Sequence, residues 1–294
     1  MSKILVTGAS GHLGGLVIKH LLETEKVSPS DLVAGSRDTA KLRELADKGI
    51  KTRPVDFDDE DGLAEAFAGI DRLLIISTDT LDTPGKRVAQ HSAAARAAGK
   101  AGVGRIAYTS IPKPETSAIS FAWEHRDSER AIAKTGAATT FFRNGWYMEN
   151  LFMSLPQAIA TGTWHTSADT GGISYIARED VARAIAASLA GEQSGNAVYT
   201  LTGSRPISTA EAAELASNAT GKPVAVDILT DGDFSAALAQ AGLPGFLIEL
   251  VVSADKATRN GDLGDVTEDF ARLTGRQPAR IEDFFEANAA ALAG

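Results

Sequence analysis

Short apolar runs alternate along the chain with stretches in which apolar residues return every three or four positions. The first run is Ile4, Leu5 and Val6, and Leu13, Leu16, Val17 and Leu21 follow it at helical spacing. The strand pattern returns at residues 31–36, 51–56, 72–77, 104–109 and 138–143, and the helical pattern at 38–48, 60–67, 86–100 and 119–134. Residues 72–77, RLLIIS, are almost wholly apolar, as befits a strand covered on both faces of a parallel sheet. The alternation predicts the α/β class, with a doubly wound parallel sheet of the Rossmann type. Past residue 150 it loosens. Residues 151–162 read as a helix, 174–190 as a short strand and a helix opened by Arg178, Glu179 and Asp180, and 198–201 as a possible seventh strand. From 205 to 294 helices dominate, with one strand near 224–229. The expected organisation is a core of residues 1–150, with 173–204 returning to it. A smaller, mostly helical domain, 151–172 and 205–294, then caps the C-terminal strand ends, where ligands bind in open α/β sheets.

Between the first strand and the first helix the chain reads Gly8-x-x-Gly11-x-x-Gly14. In a βαβ unit such a turn binds a dinucleotide: the first glycine turns tightly, the second admits a pyrophosphate, and the third lets helix and strand pack closely. Gly8, Ser10, Gly11, His12, Leu13 and Gly14 are the predicted phosphate-binding residues. The amides at the helix start, around His12 and Leu13, offer N–H groups at the positive end of the helix dipole.

Composition narrows the picture. The 294 residues are 44% apolar and 23% charged, with a formal net charge of −9. A nucleic-acid surface, which wants a basic face, is disfavoured. Cysteine is absent, which removes disulfides, a thiol nucleophile and Cys-ligated metal. No spacing of His, Asp or Glu suggests a metal site. No apolar run approaches the ~20 residues of a membrane span. With the first strand starting by residue 3, a cytoplasmic location is expected.

The end of the second strand, which meets the adenosine ribose, reads Gly35-Ser36-Arg37, with Lys41 one turn on. NAD enzymes often place an acid there, whereas an arginine accommodates the 2′-phosphate of NADP. Ser36, Arg37 and Lys41 therefore predict NADPH over NADH; the alternative is a solvated basic loop, with Asp38 beside it. Asp56 and Phe57 end the third strand and would border the adenine. Ser77 and Thr78 end the fourth, beside the nicotinamide ribose or as ordinary hydroxyl caps.

The opening TGASGHLG resembles the short-chain dehydrogenase/reductase superfamily in its extended or atypical branch. Most members carry Tyr-x-x-x-Lys on the helix after strand five. Here Tyr108, Tyr147, Tyr175 and Tyr199 are followed four residues later by Pro112, Leu151, Glu179 and Gly203, so the pair is missing. With Glu129 in register, Phe121 stands for the tyrosine and His125 for the lysine. More specific strings are residues 74–77 (LIIS), Gln90-His91, residues 107–110 with Thr109 and Ser110, Glu124-His125, residues 143–150 (RNGWYMEN), residues 242–244 (GLP) and residues 273–276 (LTGR). They are similar to the NmrA-like group, above all its type 2 NAD(P)H:quinone oxidoreductases, over nearly the whole chain. The segment after Ser77, TDTLDTPGKR, departs from that pattern.

The resemblance implies NADPH in the Rossmann cleft, a small quinone beside the nicotinamide, and no flavin. Asn144, Gly145 and Trp146 complete the expected cofactor site. Asn144 suits the carboxamide or a quinone oxygen, and Trp146 and Tyr147 either stack on a planar acceptor or pack as core aromatics. Asn144, Tyr147 and His125 are the candidate catalytic residues; His125 is otherwise a capped, solvent-facing histidine, and Arg143 pairs with an acid such as Glu149. Two functions follow: an NADPH-dependent reductase of quinones or similar electron-poor acceptors, or a non-catalytic NADP(H) sensor acting through a protein partner. Reduction of imines or activated alkenes is a third. A homo-oligomer is compatible with all of them.

Overall fold

A computed structural model describes residues 2–294. Seven parallel strands form the central sheet in the order β3-β2-β1-β4-β5-β6-β9. They are β1 (Ile4–Val6), β2 (Leu32–Ser36), β3 (Lys51–Pro54), β4 (Arg72–Ile75), β5 (Arg105–Ser110), β6 (Ala138–Asn144) and β9 (Ala197–Leu201). The order reverses between β1 and β4, which puts the switch-point crevice at the end of β1. Between successive strands run α1 (His12–Glu23), α2 (Arg43–Asp47), α3 (Glu60–Ala66), α4 (Lys86–Lys100) and α5 (Ala122–Ala133).

The period-two geometry of a strand divides the sheet's side chains between two cores. Ile4, Val6, Leu74, Ala107 and Phe142 face α1 and α7 (Arg178–Ala190). Leu5, Leu73, Ile75, Ile106, Tyr108 and Phe141 face the other way, against α3 and α4. The apolar part of the buried face of α4 is Ala93, Ala94, Ala95, Ala97 and Ala98, small side chains that let a strongly helix-forming segment lie close to the sheet.

Beyond β6 the chain forms a third apolar core. It joins α6 (Leu155–Thr161), α8 (Thr209–Thr220) and α12 (Ile281–Ala293) through Leu155, Ile159, Ala212, Ala216, Ile281 and Phe285. Two small sheets border it, β7 (Thr163–Thr166) parallel to β11 (Ala225–Ile228) and β8 (Gly172–Ile173) antiparallel to β10 (Ile207–Ser208). The hairpin of α9 (Asp231–Gln240) and α10 (Gly245–Arg259) follows, and then α11 (Asp269–Thr274).

Four expectations change. The helix expected over 38–48 is a tight turn, Thr39–Leu42, and then the short α2, because the Asp38 carboxylate accepts the Ala40 N–H at 3.0 Å. The helix expected over 151–162 is a turn at Met148–Met153 and then α6, with Pro156 at the start of the new helix, where its missing N–H costs nothing. Phe121 is not a helical residue; it precedes α5. Finally, α11 returns to the sheet, with Phe270 buried in the first core, so 205–294 does not lie wholly over the strand ends. No helix among the described residues is long and apolar enough to cross a membrane.

Candidate active site

Gly8 turns the chain after β1 with φ +60°, a conformation that favours glycine. The Gly11 N–H donates to the Gly8 carbonyl at 2.9 Å, and the Ala9 N–H to the Gly35 carbonyl at 2.9 Å. A Cβ on Gly14 would overlap the Gly8 carbonyl oxygen and sit 2.9 Å from Cα of Ala9. The start of α1 is thus pressed onto the loop. No side chain caps α1, and its first turn carries no acid, which leaves the N–H groups of His12 and Leu13 open at the positive helix end. Ser10 bonds the loop to β2 through the Ser36 hydroxyl, 2.8 Å away. Arg37 and Lys41 are exposed beside it. Asp56 is exposed and accepts the Asp58 N–H at 3.0 Å. The Phe57 ring is turned into the second core, edge-on to His91 with centroids 6.2 Å apart.

The ends of β4, β5 and β6 form the next part of the edge. The Ser77 N–H donates to Thr109 Oγ1 at 2.8 Å. The Thr78 N–H donates to His91 Nε2 at 3.0 Å, and its hydroxyl to Gln90 Oε1 at 2.8 Å. Ser110 Oγ is buried with no partner. Asn144 is 6% exposed; its Nδ2 donates to the Tyr147 hydroxyl at 3.1 Å, and its Oδ1 is buried without a partner. The Gly145 N–H donates to the Leu201 carbonyl at 2.7 Å, and a Cβ there would sit 2.9 Å from that oxygen. Half-buried Trp146 packs near Ile119, Ala122 and Ala257. Tyr147 packs against the first core with the Arg178 guanidinium 5.0 Å over its ring. Burial pushes its phenol up to about 12.

The glycine loop, Ser36, Ser77, Thr78, Thr109, Ser110, Asn144, Gly145 and Trp146 therefore share the C-terminal edge of the sheet, and His125 does not. Its ring is 2% exposed, with Nδ1 2.9 Å from the Tyr108 hydroxyl and Nε2 2.9 Å from Arg87 Nη2. Burial, and then the Arg87 charge, hold its pKa well below the usual imidazole value. It is neither solvent-facing nor free to give a proton to a molecule in the cleft. Arg143 pairs with Glu129, through two bonds of 3.1 and 2.8 Å, and with Glu115 at 3.1 Å. Glu149 instead accepts the Arg178 N–H at the start of α7. Sequence reasoning gave no role to Arg87, Tyr108 or Glu124, all buried beside His91 and His125. The strings Gln90-His91, residues 107–110 and Glu124-His125 were the only signal of them. Among the described residues no group of His, Asp and Glu is arranged to hold a metal.

The fold is shared with known proteins. Quinone oxidoreductase 2 of Escherichia coli is 36% identical over 280 residues, covering 95% of this chain and 96% of the relative. The crystal structure of the E. coli NADPH-dependent quinone oxidoreductase complexed with NADPH superposes with a TM-score of 0.91 at 35% identity, covering 97% and 99% of the two chains. The Citrobacter sp. triphenylmethane reductase complexed with NADP(H) gives a TM-score of 0.89 at 32% identity, over 98% and 100%. The NmrA-like family model matches residues 1–283, so the chain belongs to the NmrA-like family.

Proposed function

We propose that this chain is an NADPH-dependent oxidoreductase that passes hydride to a quinone or a similar planar, electron-poor acceptor. The named activities of the relatives, on a quinone and on a triphenylmethane, support that acceptor class. The observation that carries the reading is the Asn144–Tyr147 pair. After its bond to Tyr147, Asn144 keeps an open carbonyl, and the Tyr147 proton has no acceptor among the described residues. One suits a carboxamide N–H and the other the oxygen of an acceptor.

The residues present fit the dinucleotide. The glycine turn presses an uncapped helix start onto the loop, and Ser110 Oγ and Asn144 Oδ1 are buried polar atoms in want of partners. Buried polar groups of this kind are normally satisfied. NADPH, when bound, supplies the hydride. The amides of His12 and Leu13 would receive its phosphates. Ser36, Arg37 and Lys41 meet the 2′-phosphate, and Asp56 with the backbone at Phe57 borders the adenine. Ser77, Thr78, Thr109 and Ser110 line the ribose side, Asn144 orients the carboxamide, and Gly145 and Trp146 wall the site. A quinone accepts hydride without prior protonation, so the missing Tyr-x-x-x-Lys pair is no obstacle. The hydroquinone anion that results takes its proton from the Tyr147 hydroxyl, which water then reprotonates, or from water directly.

The test is direct. The purified protein is mixed with NADPH, then NADH, and absorbance of the reduced nicotinamide is followed with and without a benzoquinone. Oxidation that depends on the quinone and favours NADPH is the expected result. Tight binding with no turnover at any acceptor would overturn it, in favour of an NADP(H) sensor.

A further inference from the structure

Behind the site lies a connected set of buried polar contacts that the hydride-transfer reading does not use. It begins where the segment after β4 leaves the sheet: the Thr78 N–H donates to His91 Nε2 at 3.0 Å. His91 Nδ1 lies 3.2 Å from the Tyr108 hydroxyl and 2.9 Å from Ser128 Oγ. Tyr108 meets His125 Nδ1 at 2.9 Å, and His125 Nε2 meets Arg87 Nη2 at 2.9 Å. The other terminal nitrogen of Arg87 faces Glu124 Oε2 at 3.7 Å. Glu124 Oε1 then accepts the Gly85 N–H at 2.8 Å. The path ends seven residues from where it began, on the far end of the same segment. His91, Tyr108, His125, Arg87 and Glu124 are each at most 4% exposed.

The two ends fix the protons between them. A backbone N–H and a guanidinium only donate. His91 Nε2 and His125 Nε2 must therefore both accept, and each neutral imidazole carries its proton on Nδ1. The His125 N–H goes to the Tyr108 oxygen, while Tyr108 and Ser128 share that of His91. Ser128 in turn donates to the Glu124 carbonyl at 2.6 Å. Neutral rings agree with their burial, which holds His91 down to about 3. Arg87 also stacks on the Phe121 ring, 4.9 Å from its centroid. Two groups of the set stay unpaired among the described residues, the Tyr108 proton and the buried Arg87 Nε.

We propose that this circuit holds both ends of the 78–85 segment as one unit, and that His91 and Glu124 are positioning residues for the acceptor side of the cleft. The segment leaves the same sheet edge as Ser110 and Asn144, since Ser77 bonds to Thr109. At its other end Gly85 lies beside the half-exposed Trp123 ring. Neither His91 nor Glu124 touches the acceptor; they fix the wall against which it rests. The role in acceptor binding rests on the hydride-transfer reading above, whereas the coupling of the two ends does not.

The experiment reads amide hydrogen exchange at Thr78 and Gly85 in the full chain without ligand, beside steady-state kinetics with NADPH and a benzoquinone. His91→Leu removes the acceptor at Thr78 only, yet exchange should quicken about tenfold at both ends, the scale of one lost buried hydrogen bond. Quinone KM should rise by about the same factor while kcat changes much less. His91→Gln, which can present an oxygen near the Nε2 position, should bring exchange and KM back toward wild type. Glu124→Gln keeps an acceptor for Gly85 but removes the charge facing Arg87, and should quicken exchange at Thr78. Should His91→Leu not fold, Glu124→Gln alone makes the comparison, read as faster exchange at Thr78, the end it does not touch. Acceleration confined to the mutated end would overturn the circuit. Coupled exchange in a protein that reduces no acceptor would leave the circuit standing and refute the hydride-transfer reading instead.

Discussion

The hydroxyls of Ser10 and Ser36 lie 2.8 Å apart and bond the glycine loop to the end of β2. Ser36 also accepts the Asp38 N–H at 3.3 Å, which holds its hydroxyl in place at the strand end. Charge at the ribose end is then left to Arg37 and Lys41, both exposed and without an ion-pair partner among the described residues. Arg37→Ala should weaken NADPH by roughly ten- to 150-fold, the worth of one charge-assisted hydrogen bond. NADH should change little. Titration of nicotinamide fluorescence with each cofactor measures both constants; an equal loss for the two would refute the 2′-phosphate role.

The third glycine of the turn is under a different constraint. A methyl group at Gly14 would overlap the Gly8 carbonyl, and that atom is backbone that cannot swing away. Gly14→Ala should cost about 1–3 kcal/mol of stability, as overpacking does, and should lower dinucleotide affinity with it. Gly15→Ala, whose Cβ would meet its nearest neighbour at an ordinary 3.7 Å, is the control. Thermal unfolding of the two variants should separate them by several degrees. Indistinguishable curves would mean that the loop relaxes freely.

Much of this architecture is legible in the chain because strand burial writes itself as apolar runs. Residues 72–77 announce a central strand, and 86–100 match α4 to the residue. The glycine turn is legible for the same local reason. The circuit behind the site is not. His91, Tyr108 and His125 come from α4, β5 and α5, and only tertiary packing brings their rings within hydrogen-bonding distance. His125 misled because a histidine flanked by Glu124 and Arg126 reads as surface, whereas one turn of α5 points it inward. Arg143 misled likewise: Glu149 is near in sequence, but strand geometry turns Arg143 toward Glu129 on α5.

The Tyr147 phenol, pushed up to about 12 by burial, stays protonated at every pH at which the protein would be assayed. Tyr147→Phe should lower kcat with a benzoquinone by roughly tenfold to a hundredfold, at or below the low end for a general acid because water can substitute. The ratio of wild-type to variant kcat should be flat from about pH 6 to 9, since no ionisation of this group falls there. A pH–rate series on the two proteins is the measurement. A ratio that collapses toward one within that range would show that the group which donates is titrating, and is not Tyr147.

Asp255 lies beneath the small sheet of β7 and β11, and its Oδ2 accepts from the Thr166 hydroxyl at 2.8 Å and the Ser167 N–H at 2.7 Å. Burial outweighs those two bonds and raises its pKa above the usual carboxylate value. The folded pKa thus lies above the unfolded one, near 3.9. Its contribution to stability is full below the unfolded value and is lost as pH rises through the folded one. Asp255→Asn keeps an oxygen for both donors and never ionises. Relative to wild type, the variant should therefore gain stability between pH 4 and pH 7, by an amount that grows until the native carboxyl is fully ionised. Urea unfolding of the two proteins across that range supplies the difference. A variant that instead loses ground as pH rises would mean that the charged form of Asp255 is the one the fold prefers.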